Sequence, residues 1–170
     1  MFLDESGFQL TPSVRRTFAP RGETPVLEAW DRRDRLSVLG AVVLSPSRRQ
    51  ITTPFAIQET NVKAVDAVAF VKALKRRLQR PLIIVWDRWN VHRAAEKQIA
   101  ASRLRNVSFE RLPAYAPELN PVEPRWSHTK YADLANFVPD DVRQLKRTVN
   151  SSLKRHASAS RLKKSFFKSA

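Results

Sequence analysis

Leu82-Ile83-Ile84-Val85-Trp86-Asp87 is the stretch that decides the fold. Five successive apolar residues end on a carboxylate. A short run that is apolar at every position reads as a central strand covered on both faces. Immediately upstream, Pro81 stops a different periodicity. Between Asn61 and Arg80, Val65, Val68, Val71, Leu74 and Leu78 recur on one helical stripe, with Lys72, Lys75, Arg76, Arg77 and Arg80 mostly off it. Asn61 is the expected N-cap of that helix.

Further upstream, Leu36–Leu44 (LSVLGAVVL) reads as a buried strand. Gln50–Gln58 alternates apolar and polar positions as a half-covered one. Pro54 confines the latter to a sheet edge or a bulge. Residues 1–6 look like the end of a strand, and the abrupt start suggests missing upstream sequence. Residues 7–34 are irregular, with Val26, Leu27 and Trp30 as a possible short strand before the charged turn Asp31–Arg35. Downstream, residues 90–104 are helical, Val107 and Phe109 mark a short strand, and Leu112–Pro121 is a proline-rich loop. A helix follows from about Pro121 to Leu134, and Asp140 caps a last helical stretch. The order predicts an α/β fold: a mixed five-stranded sheet, its first three strands antiparallel, with helices on both faces. Residues 1–138 are expected to form this domain. Residues 139–170 are expected to form a basic helical tail packed on or extending it.

Composition narrows the chemistry. The chain has 170 residues, with 42% hydrophobic and 28% charged, which suits one globular domain. Three glycines against 11 prolines, and no Gly-rich phosphate motif, give no support to a P-loop or Rossmann reading. Cysteine is absent, which excludes thiolate metal sites and Cys nucleophiles. Histidines 92, 128 and 156 are too scattered for a convincing zinc site. Any metal must then be held mainly by carboxylates, which selects Mg²⁺, Mn²⁺ or Ca²⁺. A net charge of +15 attracts polyanions, nucleic acid foremost. No apolar run is long enough to span a bilayer and no signal peptide is visible, so a cytoplasmic, nucleoid-associated location and no membrane partner are expected.

Three carboxylates stand on elements that suit metal-assisted phosphodiester chemistry. Two metal ions roughly 3.5–4 Å apart stabilise the attacking and leaving oxygens, and acidic side chains from separate rigid elements must converge on them. Asp4 and Asp87 end strands, where ligand sites of open α/β sheets collect. Glu123 lies in the first turn of the helix after the proline-rich loop. Each also has a plain structural reading. Asp4 is a strand-end surface residue with Glu5 as an alternative, Asp87 a helix cap, and Glu123 the partner of Asn120 in a capping box with Pro121 at the first helical position.

Three motifs resemble those of the DDE transposases of the mariner-like superfamily. They are Phe2-Leu3-Asp4-Glu5-Ser6-Gly7-Phe8, Trp86-Asp87-Arg88-Trp89-Asn90-Val91-His92, and Leu112–Glu123 (LPAYAPELNPVE) followed by Trp126 and Lys130. The bacterial branch most similar is the insertion-sequence family numbered six-thirty. The resemblance implies a ribonuclease H-like fold and a triad of Asp4, Asp87 and Glu123 that binds two Mg²⁺ ions, with Mn²⁺ as a substitute. It implies nicking of double-stranded DNA at transposon ends, then attack of the freed 3′-hydroxyl on target DNA, typically at TA. A homodimer assembled on DNA is implied too. The 35 residues between Asp87 and Glu123 are close to the usual spacing. Arg88 stands where relatives commonly have Asn, Pro124 directly follows Glu123, and the N-terminal helix-turn-helix of relatives is expected to be missing from this stretch.

Secondary candidates follow. His92 is expected to orient the metal site or contact phosphate, Lys130 to return to the Glu123 face, and Trp126 to pack in the core. Arg88, Lys130, Lys72, Lys75, Arg76 and the tail from Arg143 to Lys168 are candidate phosphate contacts, and Trp89 and Trp30 candidate stacking platforms. Two other readings compete: a catalytically inactive or domesticated DNA-binding fragment, and a basic RNA-binding protein of ribosomal type.

Overall fold

The computed structural model describes residues 1–28, 34–47, 49–114 and 116–168. Trp30 and Tyr115 lie outside them. The elements run β1 (Phe2–Gln9), β2 (Arg35–Leu44), β3 (Ile51–Thr52), β4 (Phe55–Gln58), α1 (Ala64–Leu78), β5 (Leu82–Trp86), α2 (Asn90–Ala100), β6 (Val107–Arg111), a 3₁₀ turn (Pro117–Leu119), α3 (Glu123–His128), a π-helical turn (Thr129–Asp133), α4 (Val142–Ser158) and α5 (Ser160–Lys168).

The sheet order is β3-β2-β1-β5-β6, with β4 also on β2. β1 pairs antiparallel with β2, β2 antiparallel with β3 and β4, and β5 parallel with both β1 and β6. This is the expected mixed sheet, with the first strands antiparallel. One edge lane is split. The strand expected over Gln50–Gln58 breaks at Thr53-Pro54 because Pro54 has no N–H for the ladder. Its carbonyl still accepts from Ala41 N at 3.0 Å. The Thr53 carbonyl is taken at 3.1 Å by Arg125, a fully buried guanidinium that also reaches Leu153 O at 3.4 Å. Arg125 thereby ties the broken edge to α3 and α4. Burial lowers its pKa to about 10, so it stays charged at neutral pH.

Strand alternation sorts the core into two layers. Leu3, Leu39, Ala41, Ile84 and Trp86 pack with Val68, Val71 and Leu74 of α1 and Ala95 and Ile99 of α2. Phe8, Leu36, Val38 and Val42 pack on the other face with Trp126 of α3 and Leu145, Val149 and Leu153 of α4. The basic tail therefore contributes an apolar stripe to the second layer.

Several expectations need correction. β5 is not covered on both faces: Ile83 is 58% exposed. The second face of β5 is therefore open at Ile83 and only partly covered at Val85. β1 is longer than expected, which puts Asp4 in its third position rather than at its end. Asn61 does not cap α1. The N-cap is Lys63, whose backbone N–H is held by Asp66 at 2.8 Å, while Asn61 accepts from Arg35. Val65 is 59% exposed and stands outside the stripe, whose buried members are Ala67, Val68, Val71 and Leu74. α4 is capped by Asp141, not Asp140, through a 2.6 Å bond from Gln144 N. Val26 is exposed and no strand forms at Val26-Leu27. The helix expected over 121–134 is α-helical only to His128.

Candidate active site

β1 and β5 run parallel with Phe2 opposite Val85. Two residues further along each strand this register brings Asp4 level with Asp87. Asp4 lies on the face covered by Trp126 of α3, and Asp87 directly follows the end of β5. The proline-rich loop leaves the end of β6, where Leu112 N bonds to Trp86 O at 2.9 Å, and returns over the same place. Asp4, Asp87 and Glu123 consequently line one cleft of about 210 Å³, closed by Leu112, Pro113, Ala116, Pro117 and Asn120.

The three acids differ in surroundings. Asp4 is 6% exposed. Its Oδ2 accepts from Asn120 Nδ2 at 3.1 Å and Trp126 Nε1 at 3.2 Å. Burial, then the charges of Glu5 and Glu123, push its carboxyl up to about 8. Glu123 is also raised, by burial and then by Glu5 and Asp87, with Lys130 opposing. Asp87 is half exposed and is lowered, chiefly by its bond to His92. Its Oδ1 accepts from His92 Nδ1 at 2.6 Å and from Trp89 N at 2.9 Å. The capping-box contact offered by the alternative reading of Glu123 is not made: the N-cap of α3 is Val122, with no side-chain cap bond. Asn120 turns instead to Asp4, while its own Oδ1 accepts from Val122 N at 3.2 Å.

His92 is 1% exposed and lies between two carboxylates. Nδ1 faces Asp87, and Nε2 makes a 3.0 Å ion contact with Glu5, at an angle too poor for a full hydrogen bond. Burial opposes its charge, but the two carboxylates overcome that and raise it to about 9. Its ring stacks on Trp86 at 4.8 Å, and Trp86 stacks on Phe109. Both ring nitrogens are occupied, so His92 has none free for a phosphate; its geometry fits the orienting alternative.

Lys130 is half buried, with Nζ 5.5 Å above the Phe8 ring. Burial lowers its pKa, while Glu123 and Asp4 pull the other way, which places it in the field of the acids. Arg88 is exposed beside Asp87, and Trp89, 38% exposed, stands at the rim. Lys72, Lys75 and Arg76 are elsewhere. α1 runs back against β5, so its last turn lies by Leu82, while Asp87 follows the far end of that five-residue strand, roughly 16 Å away. Lys75 Nζ is engaged with Arg80 O at 2.6 Å.

Three supports of Asp4 carry no signal in the sequence: Asn120 has the spacing of a cap, Trp126 that of a core residue, and Gly40 no motif at all. Gly40 stands opposite Asp4 in the β1–β2 register, and a Cβ there would lie 2.4 Å from Trp126 Cη2. Only glycine lets the indole slide over β2 to reach the carboxylate.

Comparison with known proteins gives the same frame. The chain is similar to a pre-cleavage Mos1 transpososome (TM-score 0.67, 17% identity, covering 99% of this chain and 50% of that one). It is similar to the Mos1 strand transfer complex (TM-score 0.65, 16% identity, 99% and 49%) and to a Mos1 mariner paired-end complex with Mn (TM-score 0.66, 16% identity, 99% and 50%). At such identity these likenesses establish the fold, which is ribonuclease H-like, and the chain spans about half the length of those proteins. No curated relative matches it. Residues 1–146 match the DDE superfamily endonucleases, and the chain belongs to that family.

Proposed function

We propose that this chain is the catalytic domain of a DNA transposase, in which Asp4, Asp87 and Glu123 hold divalent cations against a DNA phosphodiester. One observation carries the reading: carboxylates from three separate elements line a single cleft in a chain of net charge +15. The donor set suits hard cations. Oxygens alone face the cleft from these acids, and mutual repulsion plus burial raises Asp4 and Glu123, a penalty that a dication relieves. Mg²⁺ is the proposed ion with Mn²⁺ as a substitute, and the Mn named with one Mos1 complex supports the latter. When bound, a pair of such ions activates the attacking oxygen and stabilises the leaving one.

The protein's own part is positioning. Trp126 and Asn120 fix one carboxylate oxygen of Asp4, leaving the other for a ligand. His92 and the Trp89 amide fix Oδ1 of Asp87 in the same way. The proposed partners are double-stranded transposon ends and target DNA, with the freed 3′-hydroxyl attacking the target and a homodimer assembled on DNA. Arg88 and Lys130 are proposed as phosphate contacts near the cut. Lys72, Lys75 and Arg76 are proposed to hold DNA further along α1, without base readout. No described helix is long and apolar enough to cross a membrane, and a cytoplasmic setting suits a DNA substrate.

The test is nicking of labelled duplex carrying the element's ends. Wild type is expected to nick with Mg²⁺ or Mn²⁺, and Asp87→Asn to fall to background. Equal nicking by Asp87→Asn defeats the proposal. Salt-sensitive DNA binding with no nicking under any divalent ion favours the non-catalytic reading.

A further inference from the structure

On the α3–α4 side of the sheet, a second cluster has no part in the cleft. It contains His128 at the end of α3, Asp133 at the end of the π turn, and Ser152 and His156 on α4. The π turn creates it. An α-helix rotates about 100° per residue, so positions 128 and 133 on a continuous helix would point about 140° apart. The wider turn, closed by Leu134 N to Thr129 O at 3.0 Å, brings both side chains to one side. Single π turns recur at functional positions because they re-aim side chains in this way.

We infer that His128, Asp133 and His156 form a second metal site, for a borderline dication such as Zn²⁺ rather than Mg²⁺. The three ligand atoms all lie within 4.8 Å of one another. Asp133 Oδ2 is 2.8 Å from His156 Nε2 and 3.7 Å from His128 Nδ1. Donors on a tetrahedral zinc with bonds of about 2.0–2.1 Å stand roughly 3.3 Å apart, so binding requires the partly exposed His128 ring to draw in from separations of up to 4.8 Å. His128 Nδ1 is buried and has no hydrogen-bond partner, an unusual state for a polar atom that a metal bond resolves.

His156 is fully buried. Its Nδ1 has no partner, which leaves that nitrogen to carry the ring proton when Nε2 takes an ion. Ser152 Oγ, 2.6 Å from Asp133 Oδ2 and 3.5 Å from His156 Nε2, is the neutral fourth donor, in competition with water. Arg155 holds the other oxygen of Asp133 at 2.7 Å, and Arg125 adds positive charge near His156. With one carboxylate and two guanidiniums nearby, an ion bound chiefly by charge gains little. Imidazole nitrogens favour zinc, cobalt or nickel instead. His128 is 36% exposed and provides the route in.

The test is Co²⁺ titration of the purified chain, read by visible absorption, with Zn²⁺ displacement. Wild type is expected to develop the strong bands of a four-coordinate ion, and these are expected to saturate at one equivalent. The cleft double variant Asp87→Asn/Glu123→Gln is expected to do the same, which separates this site from the proposed catalytic one. His128→Ala removes a half-exposed ligand and leaves the Asp133–His156 bond in place. It is expected to keep the wild-type circular dichroism and to bind Co²⁺ at least tenfold more weakly. Absence of the bands in wild type overturns the inference, as does unchanged binding by His128→Ala; the cluster is then a hydrogen-bonded strut between the π turn and α4.

Discussion

Trp126 donates its indole N–H to Asp4 at 3.2 Å, joining α3 to β1 across 122 residues of chain. The same side chain packs in the second core layer and is 2% exposed. One residue thus couples the folding of that layer to the aim of a cleft carboxylate. Trp126→Phe keeps most of the packing and removes the donor. Once a bound dication holds Asp4 ionised, a hydrogen bond to that charged group contributes about 1.5–3 kcal/mol. The expected result is a cleavage rate lower by roughly tenfold or more with only a modest fall in Tm, measured by single-turnover nicking and thermal melts.

Gly40→Ala places a methyl 2.4 Å from Trp126 Cη2 and 2.8 Å from Cζ2, so the ring must move off β2. Overpacking of this kind costs roughly 1–3 kcal/mol. Urea denaturation is expected to show that loss. In combination with Trp126→Leu, which clears the space, the penalty of Gly40→Ala is expected to shrink. Strict additivity in the double-mutant cycle contradicts the contact.

The pH dependence follows from Asp4. Its folded pKa, about 8, is far above its ordinary 3.8. A carboxyl raised on folding favours the native state in its protonated form. That contribution is complete below about pH 4 and is lost as the pH climbs to about 8. In metal-free buffer, Asp4→Asn is therefore expected to gain in Tm relative to wild type between about pH 5 and about pH 8. Mg²⁺ is expected to narrow the difference at the upper end by stabilising the ionised carboxyl. A wild-type advantage that grows with pH in metal-free buffer contradicts this assignment.

His92 holds Asp87 at 2.6 Å while also facing Glu5. His92→Ala leaves two acids without their shared cation. Stability is expected to fall by roughly 1.5–3 kcal/mol, and Asp87 loses one of its two orienting donors. His92→Gln, which can restore one donor to Asp87, is expected to recover part of the nicking rate. Equal rates for the two variants indicate that the ring acts by packing on Trp86 alone.

Much of this was legible in the sequence, for physical reasons. The uninterrupted LIIVW run, the edge-seeking Pro54 and the helical stripe from Val68 to Leu74 carry lane order and layer order in their side-chain periods. Asp87 follows directly from the run it ends. The open face of β5 was not legible, because an apolar residue such as Ile83 looks the same whether covered or exposed. Nor were the polar supports of Asp4: whether Asn120 caps a helix or holds a carboxylate depends on contacts 116 residues away. The π turn was equally hidden, since no local residue pattern distinguishes Thr129–Asp133 from ordinary helix, and with it went the meeting of His128, Asp133 and His156. Histidines 128 and 156 are far apart along the chain, and only the fold brings them together.

The most direct test of the central claim is a crystal of this chain soaked in Mn²⁺ and measured at an anomalous wavelength. Anomalous density is expected in the cleft within coordination distance of Asp4, Asp87 and Glu123 together, and its loss is expected in Asp87→Asn. A cleft without density while Mn²⁺ occupies other sites, or density bound to one of the three acids alone, would contradict it.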